Sequence, residues 1–219
     1  MKNIYLDFDG TIIDSSARLY EVYKSIMSEF GYPYLAKQEY WDLKKERQPY
    51  AVILGKTQAQ ELASEYMKRF LTRIESMDFL KFDRLLEGAW QTLSALKKEH
   101  RLLLVTLRRS KHNLYRELKE LKIFDFFAGI FDDFREGPNS WEIAASSVKN
   151  DAQFNKENSI IVGDTEDTVL AARDLEIPGF VVLSGIRSKS FLEKFNPDYI
   201  LTDINALPGC ISQAGVKNC

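Results

Sequence analysis

The 219-residue sequence has only two cysteines and lacks an apolar run long enough to cross a bilayer. Cys210 and Cys219 both lie at the C-terminal end, which excludes a disulfide framework and a zinc-binding pattern. The formal net charge of −2 gives no general electrostatic reason to expect nucleic acid or an anionic membrane as a partner. The opening stretch MKNIYLDFDG enters a strand-like run at once and leaves no room for the apolar core of a secretory signal. We therefore expect a cytoplasmic protein that binds neither nucleic acid nor membrane.

Six apolar segments alternate with polar or turn-like segments, and the last of the six is short. Their near-continuous hydrophobicity is typical of strands that are covered on both faces of a parallel sheet. Helical patterns lie between the later segments, at about residues 111–121, 140–149 and 166–175. This alternation predicts right-handed βαβ crossovers and a doubly wound, mostly parallel, Rossmann-like α/β fold. The segments are NIYLDF, LLLVTL, FAGIFDD, SIIVGD, GFVVL and DYIL.

One long region interrupts this alternation and carries no convincing strand. SARLYEVYKSIMSEFGY and AQELASEYMKRFLTRI both have apolar residues at helical spacing. Because about seventy residues of helix are too many for one crossover, we expect an inserted α-helical cap domain over residues 15–86. Residues 1–14 and 87–219 would then form the α/β core domain.

Polar side chains stand at the ends of three predicted strands. Asp7 and Asp9 end the first strand, Thr106 ends LLLVTL, and Asp164 ends SIIVGD. In open α/β sheets ligands bind outside the carboxyl ends of the strands, where the following loops converge. We therefore expect these four side chains to form one site.

The residue types at this predicted site suit phosphoryl chemistry. Three carboxylates form the hard, oxygen-rich environment that Mg²⁺ prefers, and the ion would remove the repulsion between Asp7 and Asp9. A carboxylate beside the ion can attack phosphorus and form an aspartyl phosphate, while a second carboxyl exchanges protons with the leaving oxygen and with water. Gly10 and Thr11 follow in a tight turn whose backbone N–H groups can approach a phosphate. The hydroxyl of Thr106 can donate a hydrogen bond to a phosphate oxygen.

Simpler structural roles compete for each of these residues. The two aspartates could be solvated turn residues, and Thr106 could be a β-branched strand residue without a ligand. Asp164 could cap the helix predicted in TEDTVLAARDL. Arg108, two residues after Thr106, could be a surface residue that follows a strand. The convergence of several such residues at strand ends favours the functional interpretation.

Three stretches resemble motifs of the haloacid dehalogenase superfamily. DFDGTIIDS is similar to its first motif, LLLVTL ending at Thr106 to its second, and IIVGDTEDT to its fourth. The order and spacing match across nearly the whole chain, and the likeness is to the phosphoglycolate phosphatase-like branch with a helical cap. The resemblance implies Asp7 as nucleophile, Asp9 as general acid/base, Thr106 as phosphate ligand and Asp164 as magnesium ligand. It also implies metal contact through one oxygen of Asp7 and through the backbone carbonyl of Asp9.

The sequence departs from this pattern in two places. The third motif normally supplies a lysine just before a proline, but in FREGPNSWEIAA that position is Gly137. Arg108, two residues after Thr106, and Arg135, two before Gly137, are the nearest candidate replacements in sequence, and an arginine can grip phosphate bidentately. In the fourth motif, Thr168 stands where this branch often has an aspartate, and the adjacent Asp167 could support metal-bound water.

The resemblance implies a Mg²⁺-dependent phosphatase that hydrolyses a small phosphorylated metabolite. A dehalogenase would not need Asp9 as a second carboxyl. A phosphomutase would keep both aspartates, and the missing lysine leaves open a member that binds a phosphorylated ligand or partner without efficient turnover. The predicted phosphate-binding residues are Gly10, Thr106 and Arg108, and the predicted metal-binding residues are Asp7, Asp9 and Asp164.

Overall fold

The computed structural model describes residues 1–132 and 139–212. Arg135 and Gly137, which bear on the third motif, lie outside the described residues. The six predicted strand segments all form strands, so the predicted α/β alternation is confirmed. With one further pair of two-residue strands, they are β1 Asn3–Leu6, β2 Ile13–Asp14, β3 Arg84–Leu85, β4 Arg101–Val105, β5 Gly129–Phe131, β6 Ser159–Gly163, β7 Gly179–Val182 and β8 Tyr199–Leu201.

The α-helices divide into a group between β2 and β3 and a group that alternates with the later strands. The first group is α1 Ser16–Glu29, α2 Lys37–Lys45, α3 Tyr50–Gly55, α4 Ala63–Arg73 and α5 Met77–Leu80. The second group is α6 Ala89–Glu99, α7 Lys111–Glu120, α8 Ser140–Lys149, α9 Glu166–Leu175, α10 Lys189–Glu193 and α11 Leu207–Ser212. None of the helices in the described ranges is long and apolar enough to cross a membrane.

The main sheet has the strand order β5-β4-β1-β6-β7-β8, and all neighbouring strands are parallel. The central strand β1 is buried on both faces. Ile4 and Leu6 belong to the apolar cluster that includes residues of α6 and α7, whereas Tyr5 belongs to the cluster that includes residues of α8 and α9. Burial on both faces explains why these strands are continuously hydrophobic in sequence.

The helices between β2 and β3 form a cap with an apolar core of its own. Tyr23 of α1 and Tyr40 of α2 are fully buried and stack with ring centroids 4.5 Å apart, and aromatic residues of α3 and α4 pack around them. The predicted helical region is thus confirmed as helical, and the aromatic residues at its centre hold its helices together.

The expectation that the inserted region has no strand was wrong at its C-terminal end. Arg84–Leu85 pairs antiparallel with Ile13–Asp14, and Leu86 N–H donates to Ile12 O at 3.0 Å. Two-residue strands are too short to show an alternating pattern in sequence. The pairing brings the two ends of the cap together next to the carboxyl end of β1, while the boundaries at residues 15 and 86 stay a prediction.

Candidate active site

A cavity of about 300 Å³ lies at the carboxyl ends of β1, β4 and β6, with the cap on its other side. Asp7, Asp9, Thr106, Arg108 and Asp164 all line this cavity. The structure therefore brings together five of the six residues predicted for the site. The cap contributes Arg18, Leu19, Phe70, Ile74 and Glu75.

Strand register explains why these residues meet. Leu6 of β1 is paired with Leu104 of β4 and with Val162 of β6, so the three strands end at nearly the same level. Asp7 continues the pairing, because its N–H donates to Val162 O at 2.9 Å. The residues that follow each strand end therefore reach the same space.

Gly10 occupies the tight turn after β1 but does not line the cavity. Its φ of +77° is in the left-handed region, which favours glycine. Its N–H donates to Ile13 O at 2.8 Å, inside the turn, and a Cβ at this position would overlap the carboxylate of Asp164. Gly10 thus allows the turn to approach Asp164 closely, and its contact with phosphate stays a prediction.

The carboxylates of Asp7 and Asp164 are held close together in a buried setting. Burial, together with the negative charges of Asp164 and Asp9, raises the pKa of Asp7 well above its usual range. Burial also raises the pKa of Asp164 to about 7, although Ile186 N–H donates to its Oδ2 at 2.7 Å. The protein groups around Asp7 and Asp164 therefore do not offset the burial and the mutual repulsion of these two carboxylates.

The residues present fit the Mg²⁺ that the family resemblance implies. A divalent cation would relieve the repulsion between Asp7 and Asp164, and the glycine backbones at positions 10 and 185 leave no space for a Cβ beside the Asp164 carboxylate. In residues 1–132 and 139–212, no three Asp, Glu, His or Cys side chains are grouped to hold a metal by themselves. An ion held by two carboxylates, the backbone carbonyl of Asp9 and water suits the known preference of Mg²⁺ for keeping several waters.

Asp9 is bound by two arginines, one from the core and one from the cap. Arg108 donates from Nε to Oδ2 at 2.7 Å and from Nη2 to Oδ1 at 3.0 Å, and Arg18 Nη2 also pairs with Oδ1. Burial acts to raise the pKa of Asp9, but the positive charges of Arg108 and Arg18 outweigh it and lower the pKa to about 2. The Asp9 side chain is still 32% exposed, so it remains accessible from the cavity.

The two arginines belong to a larger buried charge cluster beneath Asp9. Arg18 Nε lies 3.1 Å from Asp83 Oδ1, and Arg108 lies 3.3 Å from both Asp83 Oδ2 and Glu117 Oε2. Burial raises the pKa of Glu117 to about 8, with Asp83 and Asp9 adding to the shift and Arg108 opposing it. Burial also raises the pKa of Asp83, although Arg18 and Arg108 act to lower it. Two arginines thus face three carboxyl groups, and one proton shared among the carboxyls balances the charge of the buried cluster.

Sequence reasoning missed Arg18, Asp83 and Glu117. Arg18 lies four residues before the buried Val22 of α1, and Glu117 lies three residues after the buried Leu114 of α7. A charged residue on the apolar face of a predicted helix is the sequence signal that could have identified both. Asp83 has no comparable local signal.

Glu75 forms a second polar contact between cap and core. Its carboxylate accepts hydrogen bonds from Arg109 N–H at 3.0 Å and Ser110 N–H at 2.7 Å, just before α7 begins. Asn113 Nδ2 donates to Glu75 O at 2.8 Å. A carboxylate is favoured there because the first N–H groups of a helix lack intrahelical partners.

The close approach of Gly10 to Asp164 predicts a difference between two glycine substitutions. Gly31 has a similar φ of +73°, but no atom lies within 4 Å of the position that a Cβ would take, so Gly31→Ala should cost only the backbone strain of about 1 kcal/mol. Gly10→Ala should lower the free energy of unfolding by about 1–3 kcal/mol more, because its methyl group overlaps Asp164. Chemical denaturation of both variants measures the difference, and equal losses would contradict the observed contact.

The raised pKa of Glu117 predicts a pH-dependent gain in stability for Glu117→Gln. Between its ordinary pKa of 4.5 and the folded-state value of about 8, the unfolded chain releases this proton while the folded protein retains it. The stabilisation that comes from this retained proton is therefore present at low pH and is lost as the pH rises through that window. The free energy of unfolding of Glu117→Gln, relative to wild type, should increase from pH 5 to pH 8.

Denaturation at several pH values measures this change. Glu120→Gln, at an exposed position of the same helix, controls for the loss of a charge from α7. A constant difference between wild type and Glu117→Gln from pH 5 to pH 8 would show that Glu117 is ionised in the folded protein.

Comparison with known proteins places this chain in a family. Residues 4–182 match the family model described as haloacid dehalogenase-like hydrolase. The chain is 22% identical to pyrophosphatase PpaX of Halalkalibacterium halodurans, over 99% of this chain and 98% of the relative. It is 27% identical to phosphoglycolate phosphatase of Agrobacterium fabrum, over 92% of this chain and 88% of the relative.

Solved structures share the fold. A haloacid dehalogenase-like hydrolase of Streptococcus pneumoniae has a TM-score of 0.77 at 22% identity, covering 96% of this chain and 98% of the other. The hydrolase YfnB of Bacillus subtilis, described as bound to magnesium and as showing interdomain movement, has a TM-score of 0.68 at 17% identity, covering 96% and 98%. Since the family model covers most of the chain, the protein belongs to the haloacid dehalogenase-like hydrolases.

Proposed function

We propose that the protein is a Mg²⁺-dependent phosphatase that hydrolyses a small phosphorylated metabolite through an aspartyl phosphate on Asp7. The observation that carries the proposal is the meeting of Asp7, Asp9, Thr106 and Asp164 around one cavity at the strand ends. The relatives named as a pyrophosphatase and as a phosphoglycolate phosphatase support the same reaction class.

Each candidate residue has a role in the first step. A carboxylate oxygen of Asp7 attacks phosphorus, the bond from phosphorus to the leaving oxygen breaks, and that oxygen takes up a proton. Thr106, buried at the end of β4, is placed to donate its hydroxyl hydrogen to a phosphoryl oxygen. Mg²⁺, held by Asp7, Asp164 and the Asp9 carbonyl, would supply positive charge to the phosphoryl oxygens and lower the pKa of Asp7.

The second step releases phosphate and restores Asp7. Water attacks phosphorus, the bond between phosphorus and the Asp7 oxygen breaks, and a carboxylate accepts the proton that water loses. Arg108 and Arg18 hold the pKa of Asp9 near 2, which favours the ionised form that can accept that proton. In the first step Asp9 must carry the proton that the leaving oxygen takes up, and the negative charge of the bound phosphoryl group, which raises the pKa of Asp9, favours that state.

Arg108 provides the cation that the absent third-motif lysine would otherwise supply. Its positive charge acts to lower the pKa of Asp7, so it influences the nucleophile even though its hydrogen bonds go to Asp9. Its side chain is only 4% exposed and lies over the ring of Phe8, with the guanidinium carbon 5.5 Å from the ring centroid. A fixed positive charge that acts on Asp7 supports turnover, because the ligand-binding alternative rests on the missing third-motif cation.

The size and lining of the cavity support a small substrate. Its volume of about 300 Å³ is at the lower end of the range for small-molecule sites. Leu19, Phe70 and Ile74 of the cap give it an apolar wall opposite the charged residues. A phosphorylated metabolite fits such a space, whereas a folded phosphoprotein does not.

The proposal predicts that hydrolysis depends on both Asp7 and Mg²⁺. Asp7→Asn should lower kcat on a generic aryl phosphate by at least about a thousandfold, because removal of a nucleophile abolishes the covalent route. Asp14→Asn is the matched control, since Asp14 is an exposed aspartate close in sequence that does not line the cavity. Omission of Mg²⁺ should abolish turnover by the wild type and by Asp14→Asn.

A panel of phosphorylated metabolites extends the test to natural substrates. Equal turnover by Asp7→Asn and wild type would contradict the covalent mechanism. Phosphoryl transfer to an added sugar phosphate without release of phosphate would identify a phosphomutase, and binding without turnover across the panel would identify a ligand-binding protein.

A further inference from the structure

The loop that follows β7 contacts Asp164 directly. Ile186 N–H donates to Asp164 Oδ2 at 2.7 Å, and the backbone of Gly185 lies so close to this carboxylate that a Cβ would overlap it. No space remains between the Asp164 carboxylate and the backbone of this loop. The position of this loop, residues 185–188, therefore determines the orientation of the Asp164 carboxylate.

The same loop is fixed to the core by a buried ion pair. Arg187 donates from Nε to Glu166 Oε2 at 2.6 Å and from Nη2 to Glu166 Oε1 at 3.2 Å. Glu166 is only 1% exposed and is the first residue of α9, two positions after Asp164. A buried carboxylate is costly without a charged partner, and Arg187 provides that partner to Glu166.

The end of the cap helix α2 holds the loop from the other side. Arg187 Nη1 donates to Lys44 O at 3.4 Å, and Ser188 N–H donates to Lys45 O at 3.2 Å. Arg47 reaches from the cap to the same buried carboxylate, with Nη1 2.9 Å from Glu166 Oε1. Glu166 is thus shared between one arginine of the core loop and one arginine of the cap.

The backbone of Arg47 ends the helix α2. Its φ is +52°, in the left-handed region that residues other than glycine adopt at a cost of about 1 kcal/mol. Such a conformation commonly ends a helix, and here Gln48 N–H donates to Leu43 O at 3.0 Å and Arg47 N–H to Lys44 O at 3.0 Å. This turn ends α2 at the surface of the core, where the Arg47 side chain reaches Glu166.

We propose that Glu166, Arg187 and Arg47 are positioning residues that couple docking of the cap to the orientation of Asp164. The proposal rests on the proposed function, in which Asp164 binds Mg²⁺. When the cap docks, Arg47 and the α2 carbonyl groups fix the loop, and Ile186 N–H then holds Asp164 in place. When the cap moves away from the core, the loop loses its contacts with Arg47 and α2. Only the ion pair between Arg187 and Glu166 then remains.

Thermodynamic linkage between cap docking and metal binding makes the proposed coupling measurable. If cap docking favours the orientation of Asp164 that binds the ion, then binding of the ion must favour cap docking by the same free energy. The metal site would thus be completed when the cap covers the cavity.

Arg47→Ala tests the coupling without altering any residue that lines the cavity. Arg69→Ala is the matched control, because Arg69 is a similarly exposed cap arginine whose partners, Glu29 and Glu65, belong to the cap itself. We expect Arg47→Ala to accelerate amide hydrogen exchange at Ile186, measured by NMR without metal. We also expect about tenfold weaker Mg²⁺ binding in a titration without substrate, since loss of a supporting partner typically costs that much affinity. Arg69→Ala should match wild type in both measurements.

Activity at different Mg²⁺ concentrations separates coupling from a general structural defect. High Mg²⁺ should restore kcat of Arg47→Ala toward the wild-type value, and Arg47→Lys should retain most of the affinity for Mg²⁺. An Arg47→Ala variant with unchanged exchange at Ile186, or with an unchanged Mg²⁺ midpoint, would overturn the proposal while leaving the phosphatase function intact. Failure of the wild type itself to bind Mg²⁺ would overturn both.

Discussion

The concentration of negative charge at the carboxyl ends of three neighbouring strands is the constraint on which the rest of the structure depends. Parallel register places Asp7, Asp9 and Asp164 around one small cavity, where burial strengthens their repulsion. The protein compensates the three charges unequally. Asp9 receives two arginines, whereas Asp164 receives chiefly a backbone N–H, and Asp7 receives the N–H of Phe8. The charge that remains uncompensated lies where the proposed ion and phosphoryl group would bind.

The same constraint explains how the cap is attached. The cap has its own apolar core, and it meets the site largely through charged contacts: Arg18 with Asp9, Glu75 with the start of α7, and Arg47 with Glu166. Arg18 and Glu166 are nearly fully buried in these contacts, so their charges must be solvated by water or paired anew when the cap moves away. Cap movement, which admits a substrate and then excludes water, is therefore linked to the charges at the site. Since Arg18 touches Asp9 and Arg47 acts on the loop beside Asp164, each movement of the cap also changes the charges around the site.

The sequence predicts the fold and the centre of the site well, for physical reasons. Strands buried on both faces are continuously apolar, and polar residues just after such strands, as at Asp7 and Asp164, are conspicuous. The β2–β3 pair was missed because strands of two residues have no periodic pattern. The position of Arg18 on an apolar helix face could have been noticed, but its pairing with Asp9 and Asp83 depends on how the cap packs on the core. What could not be predicted is therefore the set of contacts between cap and core, which arise only from tertiary packing.

The most direct test of the central claim is a crystal structure of the protein with Mg²⁺ and beryllium fluoride, which mimics a phosphoryl group on a carboxylate. We expect beryllium bonded to a carboxylate oxygen of Asp7 and Mg²⁺ bound by Asp7, Asp164 and the backbone carbonyl of Asp9. We also expect Thr106 within hydrogen-bond distance of a fluoride. A fluoride complex bound away from Asp7, or a magnesium ion without Asp164 among its ligands, would contradict the role assigned to this cluster of carboxylates.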